Sequence, residues 1–282
     1  MERERTGEKL RRFIHPLVLK AISAKRNFRL EVTGTIPEGQ PFLFVANHYC
    51  IDDVPTVGEV IGRHVYALVS DEDRGTLSGL ALDVNGVVWT NRLNKEARRQ
   101  SKEELVRHLR LGHSVLMYPE ATWNLSPNLP MLPMNYGCIT ISLETGVPIL
   151  PIYLHFAEGV CRVEINQPFY PGEDKAAAIR DLRDIMASSA WRFWEQEPTL
   201  SRAELDMNLW ENNIWDRYQK YDRARKDPEG VRRYETSLIF HPKGRAEPEE
   251  VFAHLNTLIP SRENAFLLGK ERTYEGRDYG SV

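Results

Sequence analysis

The sequence predicts an α/β layer fold followed by a mainly helical segment, and two observations carry that expectation. From residue 28 to residue 166, short apolar strand-like runs alternate with helical runs, the pattern of a sheet covered by helices. After Pro171 the apolar residues fall mainly at helical spacing. A length of 282 residues, 41% hydrophobic and 27% charged, suits one large core with an extension and excludes a disordered chain or a disulfide scaffold.

Residues 1–27 read as a basic amphipathic helix, with Phe13, Ile14, Leu17, Val18 and Ile22 roughly on one face. Residues 1–30 hold nine Lys or Arg against three Glu, a local +6 in a chain whose net charge is −3. Such a helix suits an anionic membrane surface, where each adjacent cation adds about 1 kcal/mol. Packing on the core as an ordinary surface helix is the alternative.

Residues 28–170 read as the core. Its expected strands are Phe28–Thr33, Pro41–Ala46, His64–Val69, Gly86–Thr90, Ser114–Tyr118, Ile149–Leu154 and Cys161–Asn166. Helices are expected from near Asp53, from Asn94 to Leu111 with Gly112 as the stop, and over Ile139–Glu144. Residues 171–282 read as a mostly helical extension packed on the core, opening with Ala178, Leu182, Ile185, Met186, Ser189 and Phe193 at helical spacing. A second helix follows over residues 202–225, with Met207, Trp210, Ile214, Tyr218 and Tyr221 in one stripe. A strand at Thr236–Phe240, a helix near Glu249–Leu258 and a polar tail complete the reading.

A net charge of −3 gives no global pull toward nucleic acid. No apolar stretch approaches the roughly 20 residues of a membrane-spanning helix, and the N-terminus lacks a signal-peptide pattern, so an intracellular protein is expected. Cys50, Cys138 and Cys161 are too few and too scattered for a disulfide framework and read as reduced thiols. The sequence has no dinucleotide fingerprint, P-loop, zinc-protease motif or nucleophile elbow. The eight histidines form no ligand-spaced cluster, so no metal is expected.

The run Asn47-His48-Tyr49-Cys50-Ile51-Asp52-Asp53 follows the apolar stretch Pro41–Ala46, placing His48 at a strand's C-terminal end, where α/β sites form. An imidazole works as a general base when a carboxylate holds its other nitrogen. Helical geometry alone favours Asp52 for that role; if His48 lies in the turn before the helix, Asp53 is equally reachable. The competing reading makes one Asp a simple helix cap ahead of Pro55. Three further segments follow in order: Gly86-Val87-Val88-Trp89-Thr90-Asn91-Arg92, Tyr118-Pro119-Glu120-Ala121-Thr122 and Val147-Pro148-Ile149-Leu150-Pro151.

Together these four blocks, spanning roughly residues 40–155, resemble the glycerolipid acyltransferase family of lysophosphatidate and glycerol-3-phosphate O-acyltransferases. The first block matches that family's Asn-His-x-x-x-x-Asp, which selects Asp53 as the partner of His48. The second matches Gly-x-x-aromatic-x-x-Arg through Gly86, Trp89 and Arg92, and the third matches aromatic-Pro-Glu-Gly-Thr through Tyr118, Pro119, Glu120 and Thr122. In the third block two positions depart from the pattern: Ala121 and Trp123 stand where the family has Gly and Arg. Asn135 stands where it has the Lys of Pro-Phe-Lys-x-Gly.

The resemblance implies a layered acyltransferase fold with a mixed central sheet flanked by helices. It also implies acyl transfer from acyl-coenzyme A or acyl carrier protein to the hydroxyl of a lysophospholipid-type acceptor, 1-acyl-glycerol-3-phosphate foremost. His48 and Asp53 are its implied catalytic residues, and Arg92, Glu120, Ala121 and Thr122 its acceptor-binding residues. Backbone N–H groups of the Tyr118–Thr122 turn are candidate oxyanion donors. No cofactor is implied beyond the thioester co-substrate. A lipid acceptor and the basic N-terminal helix together imply peripheral contact with the cytoplasmic membrane face. The missing cations leave two other readings: an amine or phosphate-free alcohol as acceptor, or a non-catalytic lipid- or acyl-carrier-binding scaffold. Lys95, Arg98, Arg99, Lys102, Arg107 and Arg110 read as a solvated helix face.

Overall fold

The computed structural model describes residues 26–198 except 51, 72–73, 76, 92–93, 122, 125–128 and 158, together with isolated positions between 11 and 24 and residues 273–274 and 277–278. The second helix of the extension, its aromatic stripe, the strand near residue 236 and the helix near residue 249 lie outside the described residues, as does most of the N-terminal helix.

The sheet contains β1 (Arg29–Thr33), β2 (Leu43–Ala46), β3 (Tyr66–Ser70), β4 (Val88–Thr90), β5 (Val115–Met117), β6 (Ile149–Ala157) and β7 (Val160–Ile165). Their order is β1-β7-β6-β2-β5-β3-β4. All neighbours pair in parallel except β6 and β7, an antiparallel hairpin turned at Gly159 with φ 74°. The sheet is therefore mixed. Two further strands, Thr273–Tyr274 and Arg277–Asp278, pair with each other.

Every residue of β2 is buried, as expected of a central parallel strand covered on both faces. Its side chains alternate between two apolar layers. Leu43 and Val45 pack among Leu105, Leu109, Ile139, Ile141, Leu182 and Met186, from α3 (Lys95–Arg110), α4 (Gly137–Thr145) and α5 (Lys175–Trp194). Phe44 and Ala46 pack with Val57 and Ile61 of α1 (Asp53–Ile61) and with Leu150, Ile152 and Leu154 of β6. Helices thus cover both faces of the sheet.

Helix α3 begins where Asn94 accepts hydrogen bonds from Glu96 N and Ala97 N, and Gly112 follows its end in a left-handed conformation. Its cationic face is largely paired: Arg99 binds Glu96 and Glu103, while Lys102 and Arg110 meet Glu144. Helix α5 starts at the Asp174 cap and buries Ala178, Ile179, Leu182, Met186 and Phe193 in the layer shared with α3 and α4. The sequence reading has no counterpart for α2 (Leu77–Asn85), a helix that leaves Leu80 and Val84 exposed. No helix among the described residues is long and apolar enough to cross a membrane.

At the N-terminal ends of β3 and β5, histidine and tyrosine rings contact one another in a chain. His15 meets His64, His64 meets Tyr66, and Tyr66 lies on His108 with ring centroids 3.6 Å apart. Burial is the largest cause lowering the pKa of His15 and His64 below the ordinary 6.5; for His64, His15, Arg11 and His113 add to it. The unfolded chain then binds more protons than the folded one as pH falls below 6.5, so acid costs stability from that point downward. The melting temperature is expected to drop between pH 7.5 and 5, with a shallower drop in His64→Asn; equal slopes in the two proteins would contradict this.

Candidate active site

The site forms just beyond the C-terminal end of β2. Asn47 continues the β2–β6 ladder with its side chain: Nδ2 donates to Leu154 O at 3.0 Å, and Leu154 N donates to Oδ1 at 2.7 Å. This amide clamp holds the strand end against β6 and presents the next residue, His48, where the sheet opens.

His48 sits in the turn ahead of α1, and Asp53 is that helix's first residue. His48 Nδ1 lies 2.8 Å from Asp53 Oδ2, which also accepts from Tyr49 N at 2.7 Å and Cys50 N at 3.1 Å. Asp53 is 0% exposed, so the turn wraps around a buried carboxylate. An ionised carboxylate only accepts, so the Nδ1 proton belongs to this bond and Nε2 is the nitrogen with a free lone pair. The carboxylate of Asp52 makes no capping hydrogen bond; its backbone carbonyl takes Thr56 N and Thr56 Oγ1. The carboxylate on His48 is thus that of Asp53, and helical spacing alone favours the wrong neighbour because His48 is not on the helix.

Glu120 is also fully buried. Its Oε1 accepts His48 N at 3.0 Å and its Oε2 accepts Leu132 N at 2.7 Å, joining β2, the turn after β5 and the segment before α4. Expected at the acceptor, this side chain instead faces backbone N–H groups. Ala121 has φ 58°, and among the described non-glycine residues only it has a positive φ. That left-handed conformation costs a residue with a Cβ about 1–2 kcal/mol, which explains why glycine suits the position. Arg92 and Thr122 lie outside the described residues. Gly86 has φ 76°, and Trp89 Nε1 donates to Asp83 Oδ1 at 2.6 Å.

Aromatic rings wall the histidine. Tyr118 lies 4.5 Å from the His48 ring centroid at a 33° tilt, and Trp123 stands edge-on at 6.0 Å. Asn124 N donates to His48 O at 2.7 Å, and Ala121 N donates to Tyr118 O at 3.0 Å, so neither N–H is left for an oxyanion. Asn135 spends its backbone N–H and its side-chain Nδ2 on Pro119 O. The roles of Asn47, Trp123 and Leu132 around His48 carry no local sequence signal, since their partners are remote in the chain. Among the described residues, no group of three or more His, Cys, Asp or Glu is placed to hold a metal ion.

Residues 29–155 match the model of the Acyltransferase family. The chain is 28% identical over 192 residues to the lyso-ornithine lipid O-acyltransferase of Pseudomonas aeruginosa, covering 66% of this chain and 71% of that protein. It is 28% identical over 168 residues to the 1-acyl-sn-glycerol-3-phosphate acyltransferase alpha of Ovis aries, covering 54% of this chain. These likenesses support the glycerolipid acyltransferases as the family that residues 29–155 resemble.

A third relative is the chloroplastic 1-acyl-sn-glycerol-3-phosphate acyltransferase BAT2 of Brassica napus, 25% identical over 201 residues, or 64% of this chain. The match spans 58% of the sheep protein and 58% of the Brassica protein, less than two thirds of either. The fold is similar to that of the 1-acyl-sn-glycerophosphate (LPA) acyltransferase PlsC from Thermotoga maritima. Their TM-score is 0.55 at 18% identity, over 70% of this chain and 85% of that one.

Proposed function

We propose that the chain transfers a fatty acyl group from acyl-coenzyme A or acyl carrier protein to the hydroxyl of a lysophospholipid-type acceptor, 1-acyl-glycerol-3-phosphate foremost. The observation that carries this reading is the buried Asp53 carboxylate holding Nδ1 of a part-exposed His48 at a strand's C-terminal end. His48 Nε2 takes the acceptor hydroxyl proton as its oxygen attacks the thioester carbonyl. The tetrahedral oxyanion then collapses to the ester and expels a thiolate, which recovers the proton from the imidazolium. Asp53 holds the ring orientation and stabilises its charge. Glu120 acts through the His48 backbone that it anchors.

The sheep and Brassica relatives, by name, favour 1-acylglycerol-3-phosphate as acceptor, and Arg92 and Thr122 are assigned its phosphate. A second acceptor class, a phosphate-free lysolipid, is favoured by the Trp123 ring against His48 and by the Asn135 amide already committed to Pro119 O. The name of the Pseudomonas relative points the same way. Thiol release from both donor types, with lysophosphatidate, glycerol-3-phosphate and phosphate-free lysolipids as acceptors, tests the reading, and product mass identifies the acceptor. Release driven by lysophosphatidate supports the first acceptor, and release only with phosphate-free lysolipids supports the second. Absence of turnover with every donor and acceptor would overturn the reading in favour of a binding scaffold.

Peripheral membrane contact belongs to the same proposal. Phe13 is 74% exposed among the basic N-terminal residues, and the Arg11 guanidinium lies against Gly86, directly after the helix that exposes Leu80 and Val84. Co-sedimentation with anionic vesicles is expected to weaken when residues 1–26 are removed; unchanged binding would defeat this part.

A further inference from the structure

Asp53 receives three donors on one oxygen: His48 Nδ1, Tyr49 N and Cys50 N meet Oδ2. The other oxygen, Oδ1, is buried and has no hydrogen-bond partner. A bare buried acceptor is costly, and such groups in folded proteins mark a functional or water-linked arrangement. The Tyr118 hydroxyl is in the complementary state, a buried group able to donate and likewise without a partner. The Tyr118 ring lies against the His48 ring at 4.5 Å, on the ring whose Nδ1 Asp53 holds. Burial raises the pKa of the Tyr118 hydroxyl well above its ordinary value, and the charge of Asp53 is the next cause. One unsatisfied acceptor and one unsatisfied donor thus belong to two side chains that both contact the same imidazole.

We propose that Tyr118 is a positioning residue for the reaction: its hydroxyl donates to Asp53 Oδ1 through one internal water, and so keeps Oδ2 on His48 Nδ1. The inference rests on His48 and Asp53 being the base and its orienter. A donor on Oδ1 withdraws charge from the carboxylate and moderates the basicity that it confers on His48. Taking the donor away leaves Asp53 a stronger partner for the imidazolium. The phenol ring packs beside His48 whether or not it carries the hydroxyl, which separates the two contributions.

Tyr118→Phe keeps the ring and removes only the donor. Its kcat is expected to fall about three- to tenfold, the rate equivalent of one hydrogen bond, with KM for the acceptor unchanged. The acid limb of its kcat/KM profile is expected to move to higher pH. In an Asp53→Asn background the same substitution is expected to change neither quantity, because the group that it positions is gone. A Tyr118→Phe enzyme with the wild-type kcat and acid limb would overturn the inference, as would a lower kcat with an unmoved limb, the signature of simple packing. His48→Ala measured alongside keeps the two ideas apart. If that variant stays active, the base assignment itself fails. If it is inactive while Tyr118→Phe matches wild type, only the role of Tyr118 fails.

Discussion

His48→Ala is expected to lower acyl transfer by about 10²–10⁴-fold, the usual contribution of a positioned general base, while the chain stays folded. The His48 side chain is 22% exposed and belongs to neither apolar layer, so its removal opens no core cavity. The decisive comparison is between adjacent carboxylates. Asp53→Asn can keep an oxygen facing Tyr49 N and Cys50 N, yet it loses the charge that stabilises the imidazolium, so its activity is expected to fall toward that of His48→Ala. Asp52→Asn leaves the carbonyl that serves Thr56 untouched and is expected to stay within about twofold of wild type, the range of an ordinary surface change. Steady-state rates together with circular dichroism check both. Equal losses at residues 52 and 53 would contradict the assignment.

Glu120→Gln is expected to destabilise the protein by about 1–3 kcal/mol, and Glu120→Ala by about twice that, because each carboxylate oxygen serves a different backbone N–H. A glutamine has one acceptor oxygen, so its amide group must face either His48 N or Leu132 N with donor against donor. An alanine orphans both. Urea unfolding reads the loss directly. A glutamate whose work is to contact the acceptor would raise KM and leave the unfolding midpoint unmoved, so a Glu120→Gln protein as stable as wild type contradicts the anchoring role. Activity is expected to fall with stability here, since the same carboxylate fixes the backbone that carries the base.

The elements were largely legible because their signals are local. Asn94 caps α3 and Gly112 stops it within a few residues of its ends, and the apolar run ending at Ala46 is a fully buried strand. Helix α2 passed unread even though Leu77, Leu80, Ala81 and Val84 recur at i, i+3, i+4 and i+7, because Gly79 and the short length blur the pattern. The order of the blocks was likewise available in the residues, and Asp53 as the partner of His48 followed only from the family resemblance that they carry. Spacing alone preferred Asp52, since it assumes a helix where the chain makes a turn.

What the sequence by itself determined is most of the strands and helices of the core, α2 excepted, and the identity of the polar residues at the end of β2. The tertiary structure alone decided what those residues touch: Glu120 reaches His48 across 72 residues and Asn47 reaches Leu154 across 107. Trp123 and Tyr118 close on His48 from a different strand's end. Periodicity and capping act over a few residues, so they encode elements. Hydrogen bonds between strand ends exist only once the sheet order sets β2 between β5 and β6, and that order follows from burying both faces of the sheet together.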